Sequence, residues 1–242
     1  MSDSGCRFCG APLVHVFADL GVSPLANTFL SEDQLGRMER FYPLRALVCG
    51  ECFLVQLEEF ETPEAIFSDY AYFSSYSTTW LEHCERYVEQ VAEKFGLDER
   101  SHVVEVASND GYLLQYFKER DIPVLGIEPA ANVAEAAVEK GIPTLVEFFG
   151  RATAGELARE SKADLLIGNN VLAHVPDLND FVAGMKIALK PGGVITMEFP
   201  HLMRLIDDNQ FDTIYHEHFS YFSFLTARQV FAKHGLEVFD QE

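Results

Sequence analysis

Four of the five cysteines fall into two C-x-x-C pairs, Cys6/Cys9 and Cys49/Cys52, with Gly10 after the first pair and Gly50 inside the second. Two tight knuckles of this kind can aim four thiolates at one tetrahedral zinc ion, with bonds of about 2.3 Å. A site closed by four thiolates has no open position, so the metal it predicts is structural. The 39 residues between Cys9 and Cys49 make a longer spacer than in the tightest zinc ribbons. Two redox dithiols are the alternative reading. A redox C-x-x-C opens a helix in a thioredoxin-like βαβ unit, and neither flank here has that pattern. Cys84 stands alone at helical spacing in an apolar stripe and reads as a buried thiol.

A second set of candidates lies between residues 103 and 170. The run VEVASNDGYLL ends an apolar stretch, which includes Glu105, in a turn of small residues: Ala107, Ser108, Asn109, Asp110 and Gly111. One glycine stands where a dinucleotide fingerprint has three, which disfavours pyrophosphate cradling. Glu128 ends the next apolar run 17 residues after Gly111, where a carboxylate can take both hydroxyls of a ribose. Glu147 and Phe148 offer an acid and an aromatic beside an adenine-sized slot, and Asn169 and Asn170 close a further run. Each residue alone is an ordinary loop residue. In this order along successive strands they read as a site for S-adenosylmethionine, whose positive sulfonium suits an acidic mouth.

The elements that must position these residues follow from periodicity. Short strand-like runs, Leu13–Phe17, Leu44–Val48 and Phe53–Leu57, surround the cysteine knuckles and predict a small β-rich module over 1–60. Residues 61–79 are aromatic and hydroxyl-rich without helical period. Trp80, Cys84, Tyr87, Val88, Val91 and Phe95 then mark one face of a helix ending at Gly96, so 61–100 reads as a loop and connecting helix. From 101 to 242 strands alternate with helices. The strands are Val103–Ala107, Val124–Glu128, Thr144–Glu147, Asp164–Asn169 and Val194–Phe199, with helices near 111–120, 131–140, 151–160 and 178–189 between them. That alternation predicts an α/β fold with a doubly wound parallel sheet, a class I (Rossmann-like) core whose ligand lies at the carboxyl ends of the strands. A helix over 226–234 and a last strand, Leu236–Phe239, end the chain.

The 18 basic and 38 acidic residues give a net charge of −20, a field that repels phosphate backbones and anionic lipid. Nucleic-acid and membrane-surface binding are therefore excluded as main functions. No apolar run reaches the roughly 18 residues of a spanning helix, and the N-terminus lacks a signal-peptide pattern, so a cytoplasmic protein is expected.

Taken together, C-x-x-C-G, the second C-x-x-C, YAYFSSYSTTW, VEVASNDGYLL, NNVLAHVPD and YHEHFSYFS resemble the sugar C-methyltransferases that act on nucleotide-linked 4-keto-deoxyhexoses. The resemblance runs from Cys6 to the last residue, and YHEHFSYFS is its most specific part. It implies a zinc-binding N-terminal domain, a methyltransferase core and a C-terminal domain that holds much of the nucleotide-sugar. It also implies His218 as general base, Tyr215 and Glu217 as neighbours, and His174 with Tyr72 (Tyr76 as alternative) lining the same pocket. Counting six strands where a class I methyltransferase has seven, with no third domain, the chain reads as truncated or as completed by a separate chain.

The chemistry can be argued from the residue types. A 4-keto group acidifies the adjacent C3 proton, and a base of near-neutral pKa, a histidine, can remove it. A tyrosine hydroxyl or second histidine can serve the enolate oxygen, and Glu217 could orient an imidazole. The carbanion then attacks the sulfonium methyl in line. Plainer readings stand beside this one. His216, Glu217 and His218 could hold a metal, although HEH lacks the i, i+4 spacing of a helical site. The tyrosines at 70, 72 and 76 could be packing residues, and His174 a helix cap. An O- or N-methyltransferase, or a non-catalytic cofactor-binding zinc module, are the alternative functions.

Overall fold

The protein is described by a computed structural model over residues 5–67 and 70–241. Nine strands and eight helices follow one another among the described residues: β1 (His15–Ser23), β2 (Tyr42–Val48), β3 (Val55–Leu57), α1 (Pro63–Phe67), α2 (Thr78–Phe95), β4 (Val103–Val106), α3 (Leu114–Lys118), β5 (Val124–Ile127), α4 (Ala131–Glu139), β6 (Thr144–Leu145), α5 (Arg151–Glu160), β7 (Ala163–Asn169), α6 (Leu178–Ala188), β8 (Leu189–Glu198), α7 (Leu202–Asp207), β9 (Ser220–Tyr221) and α8 (Phe224–Lys233). They form two compact units, one of Met1–Thr62, Leu172–Asn179 and Phe199–Glu242, the other of Pro63–Val171 and Asp180–Glu198.

The first unit is built on an antiparallel sheet of order β1-β2-β3-β9. Along β2 the period of two buries Leu44 and Ala46 and exposes Pro43 and Arg45. The buried side meets Val55 and Leu57 of β3, Leu202 and Leu205 of α7, Ile214 and Tyr221. β1 is longer than the predicted Leu13–Phe17 and pairs with β2 from His15↔Val48 to Ser23↔Tyr42 through two register shifts.

The second unit carries a five-stranded parallel sheet, order β6-β5-β4-β7-β8, with β4 at the centre. Every residue of β4 is buried, as a strand covered on both faces requires. The predicted amphipathic helix is α2. Ser77 caps it, its hydroxyl accepting from the Trp80 amide at 3.3 Å, and Gly96 closes it at φ +63°. Its apolar face puts Cys84, Val88 and Val91 against Val103, Leu113, Phe117 and Leu165.

Three elements depart from the sequence reading. The helix expected over 111–120 shrinks to α3, because Asn109 (φ +48°) and Gly111 (φ +74°) hold the preceding loop in turns. β8 starts at Leu189, five residues early, passing Gly192 at φ +80° with a register shift against β7. The last strand, Leu236–Phe239, does not form. The amides of Gly235 and Leu236 instead close α8, donating to Ala232 O at 3.0 Å and Phe231 O at 3.1 Å, so the parallel sheet has five strands and no sixth among the described residues. Residues 199–241, read with the core in sequence, fall in the first unit, where β9 pairs with β3. No helix among the described residues is long and apolar enough to cross a membrane.

Candidate functional site

The two cysteine knuckles fold alike. Gly10 donates to Cys6 O at 2.8 Å and Phe53 to Cys49 O at 3.1 Å, each from a left-handed backbone, φ +80° and +62°. The turns bring Cys6, Cys9, Cys49 and Cys52 together with all four sulfurs within 4.8 Å of one another. Four sulfurs at tetrahedral bonds of about 2.3 Å lie about 3.8 Å apart, so the donor set fits zinc. Cys6 with Cys52 and Cys9 with Cys49 pair across the knuckles, both at 3.5 Å, so the four sulfurs form one cluster and not two separate dithiols. The Glu51 amide and the Gln56 side-chain amide donate to Cys49 and Cys6 sulfur at 3.4 and 3.2 Å. Cys84 is fully buried, and burial pushes its thiol up to about 12.

In the second unit the loop after β4 turns at Ala107 (φ +57°), Asn109 and Gly111. Its geometry is set by Glu128 at the end of β5. One carboxylate oxygen of Glu128 accepts from the Asn109 amide at 3.0 Å and the other from the Ala130 amide at 2.9 Å. Burial raises this carboxyl from its usual range, and those two amides pull it back. Ser108 is fully buried, and a Cβ on Gly126 would meet its hydroxyl oxygen at 2.4 Å, which is why β5 carries glycine there. Ser108 Oγ and Asn169 Nδ2 are buried without a hydrogen-bond partner in the structure, two polar atoms left for a ligand. Glu105 lies mid-strand, wholly buried. Burial drives its carboxyl well up, the Tyr112 hydroxyl opposes this, and Glu128 and Asp110 add to it. Phe148 is partly exposed, its carbonyl accepting from Thr153, and Asn170 adopts φ +53° with its amide on Glu198 O at 2.7 Å.

The Asn109 side chain has a task the sequence did not show. Its amide donates to Tyr72 O at 3.0 Å and its oxygen accepts from the Ser74 amide at 2.9 Å. Asn132 holds Tyr70 in the same reciprocal way, at 3.2 and 2.8 Å, and Lys140 bonds Asp110 at 3.0 Å, while Ser75 donates to the same carboxylate. The aromatic segment is thereby stapled to the loop after β4. The rings of Tyr72 and Tyr76 stay exposed, at 53% and 81%.

In the first unit, His218 is fixed by two contacts. Its Nδ1 faces Thr213 O at 2.9 Å, an acceptor, so Nδ1 carries the proton. Nε2 is then the basic nitrogen and accepts from the Tyr215 hydroxyl at 3.0 Å. The Tyr215 and His174 rings lie 4.2 and 4.6 Å from the His218 ring, centroid to centroid. Burial lowers His218 below the usual imidazole value against the pull of Thr213 O, and lowers His174 to about 3 with help from His218. Burial also lifts Tyr215 to about 12. Glu217 does not hold an imidazole. Its carboxylate takes the Asn27 amide at 2.7 Å, and the backbone carbonyl of Thr213 orients His218 instead. His216 bonds Pro43 O at 3.1 Å and packs on Tyr42 and Phe60. Among the described residues the four cysteines are the sole cluster suited to a metal, so HEH is not one.

Comparison with known proteins decides the family. A model described as a zinc binding domain matches residues 6–67, and one described as a methyltransferase domain matches residues 79–241. The chain belongs to the methyltransferase family. This methyltransferase is 35% identical over 236 residues to the C-methyltransferase NovU of Streptomyces niveus, a match covering 97% of this chain and 56% of that protein. The chain thus spans little more than half of that relative's length. A ubiquinone biosynthesis O-methyltransferase of Rhodopseudomonas palustris is 24% identical over 96 residues, 39% of this chain and 38% of that one. In fold, a SAM-dependent methyltransferase from Archaeoglobus fulgidus superposes with a TM-score of 0.52 at 16% identity, covering 64% of this chain and 68% of the other. S-adenosylmethionine and zinc are the cofactors of the two matched domains. The methyltransferase core presents the orphaned Ser108 and Asn169 atoms after β4 and at the end of β7, with the Glu128 carboxylate at the end of β5, and the zinc-binding domain presents the thiolate cage.

Proposed function

We propose that this methyltransferase transfers a methyl group to C-3 of a nucleotide-linked 4-keto-deoxy sugar through an enolate, with His218 as the base. The observation that carries the reading is the locked tautomer of His218, in which Thr213 O fixes the proton on Nδ1 and leaves Nε2 basic. The 35% identity to a protein named as a C-methyltransferase supports it.

S-adenosylmethionine supplies an electrophilic methyl when bound. Glu128, its orientation set by the Asn109 and Ala130 amides, would hold the ribose hydroxyls. Phe148 would pack against the adenine, and Glu105, Ser108, Gly111, Asn169 and Asn170 would contribute the rest of the cofactor site. At the other group, His218 Nε2 takes the C3 proton. The Tyr215 hydroxyl, a protonated donor over the whole working range, turns to the developing enolate oxygen. His174 stays neutral, so no positive charge beside His218 suppresses its basicity.

Solvent deuterium exchange at C3 tests the reaction class. The chain, loaded with S-adenosylhomocysteine and given a nucleotide-linked 4-keto-deoxyhexose, should wash deuterium into C3. Methyl transfer to oxygen with no wash-in would instead establish the O-methyltransferase reading that the second relative favours. For the cofactor, Glu128→Gln should weaken S-adenosylhomocysteine by about 10- to 100-fold, the loss of hydrogen bonds to a charged acceptor. A calorimetric Kd unchanged within twofold would remove Glu128 from the site.

A further inference from the structure

Arg7 lies inside the first C-x-x-C, next to the ligand Cys6, so its backbone is fixed by the metal knuckle. Gln56 locks it further. The Arg7 amide donates to Gln56 Oε1 at 3.0 Å, and Gln56 Nε2 donates to Cys6 sulfur at 3.2 Å. The side chain does not point to solvent. One guanidinium nitrogen donates to Pro176 O at 2.8 Å, the other to Leu57 O at 2.7 Å, and the group lies 5.3 Å from the centre of the Phe219 ring.

Those partners belong to the histidine segments. Pro176 is two residues beyond His174, and Phe219 follows His218. Leu57 is gripped at both ends, since its amide donates to Phe219 O at 3.0 Å while its carbonyl takes Arg7. A return tie runs from Asn179, whose side chain donates to Arg7 O at 3.2 Å and Phe8 O at 3.0 Å. The knuckle therefore holds the 174–179 segment by side chain and by backbone, and the 218–219 segment through Leu57 and the Phe219 ring.

We infer that Arg7 is a positioning residue, a strut through which the zinc knuckle sets the imidazoles of His174 and His218. The chemistry of the side chain fits the task. A planar guanidinium can donate along two directions to carbonyls on two chain segments, which a lysine, with one nitrogen on a flexible stem, cannot reproduce. Both acceptors are backbone carbonyls, so the bonds fix main chain, not the rotamer of a partner side chain. Proton transfer needs the base within roughly 2.6–3.2 Å of the proton's donor atom, and a shift of about 1 Å can cost 10²-fold. The metal so placed serves the reaction at one remove, by holding the base and not by touching substrate.

The inference rests on His218 as the base, and the test separates the two. Arg7→Met keeps the aliphatic stem and removes the fork. In the full zinc-loaded chain we expect one zinc per chain and S-adenosylhomocysteine affinity within twofold of wild type, a 10- to 100-fold fall in C3 deuterium wash-in, and moved ring resonances of His218 in histidine-labelled NMR spectra. Arg7→Lys should recover part of the rate. Unchanged wash-in and unchanged His218 resonances would overturn the strut. Loss of zinc or of the folded sheet in Arg7→Met would overturn it as well, by making Arg7 a residue of the fold alone. Full wash-in in His218→Gln would sink the base assignment, while moved His218 resonances in Arg7→Met would still establish the strut.

Discussion

His218→Gln lowers C3 deuterium wash-in by about 10³-fold and leaves S-adenosylhomocysteine affinity within twofold. General-base catalysis is worth roughly 10²- to 10⁴-fold, and the glutamine amide fills the space of the imidazole without a basic nitrogen. The pH profile of the wild type carries a second check. Burial holds the His218 imidazole below its ordinary value of 6.5, and Thr213 O opposes this only in part. The neutral ring is the base, so the rate is lost as pH falls through this lowered value. The half-maximal point of the profile should lie on the acid side of 6.5. A histidine paired with a carboxylate would do the opposite, its imidazolium stabilised and its midpoint raised toward or above 7. An observed midpoint above 7 would therefore contradict a ring whose Nδ1 partner is a backbone carbonyl, and Glu217, bonded to Asn27, would have to be reassigned as its orienting group.

What sequence patterns reveal here depends on whether the signal is carried by side chains. α2 was legible in its apolar period and its Gly96 end, residue types with one physical meaning, while its start at Thr78 behind the Ser77 cap lay inside the stretch read as aperiodic. The β4-to-β8 alternation was legible for the same reason, as was the cysteine cage. Leu236–Phe239 has the alternation of a strand, yet a strand needs a neighbour, and the amides of Gly235 and Leu236 are spent on closing α8. β9, two residues long, was too short to show any period although it completes the first sheet. The His218 orienter was missed because Thr213 acts through its carbonyl, an atom every residue has. Asn27, 190 residues from Glu217, and Arg7, 169 from Pro176, are partners that only the folded chain assembles. Asn109 was read as a ligand residue from its place in the loop. Its amide proves to be the clamp on Tyr72 and Ser74, a local competition that loop position alone does not resolve.

Stripping the zinc with a chelator, or replacing Cys49 by Ser, should cost the first unit its fold. Apparent zinc affinities of about 10–16 kcal/mol in finger peptides are as large as the whole stability of an ordinary domain, so a cage of this kind carries the folding of what it ties together. Here it ties much. The ion closes the 39-residue spacer between Cys9 and Cys49, a segment that burial secures poorly, since Phe29, Leu35, Met38 and Phe41 along it are all exposed. The strands it must replace are short, three residues in β3 and two in β9. The melting temperature should fall by more than about 10 °C, and by the Arg7 strut the wash-in rate should fall with it. Thiol counting distinguishes this from redox chemistry. The zinc-loaded chain should react slowly at all five cysteines. After chelation four should react while Cys84, buried on the apolar face of α2 with its thiol pushed up to about 12, stays protected until the second unit is denatured. A redox pair would show otherwise, with two thiols lost as a disulfide within Cys6/Cys9 or Cys49/Cys52 and no metal released. Because the ligands bind as thiolates, acid should release the zinc too, and the sheet of the first unit should melt with the ion's departure at whichever pH the cysteines take up their protons.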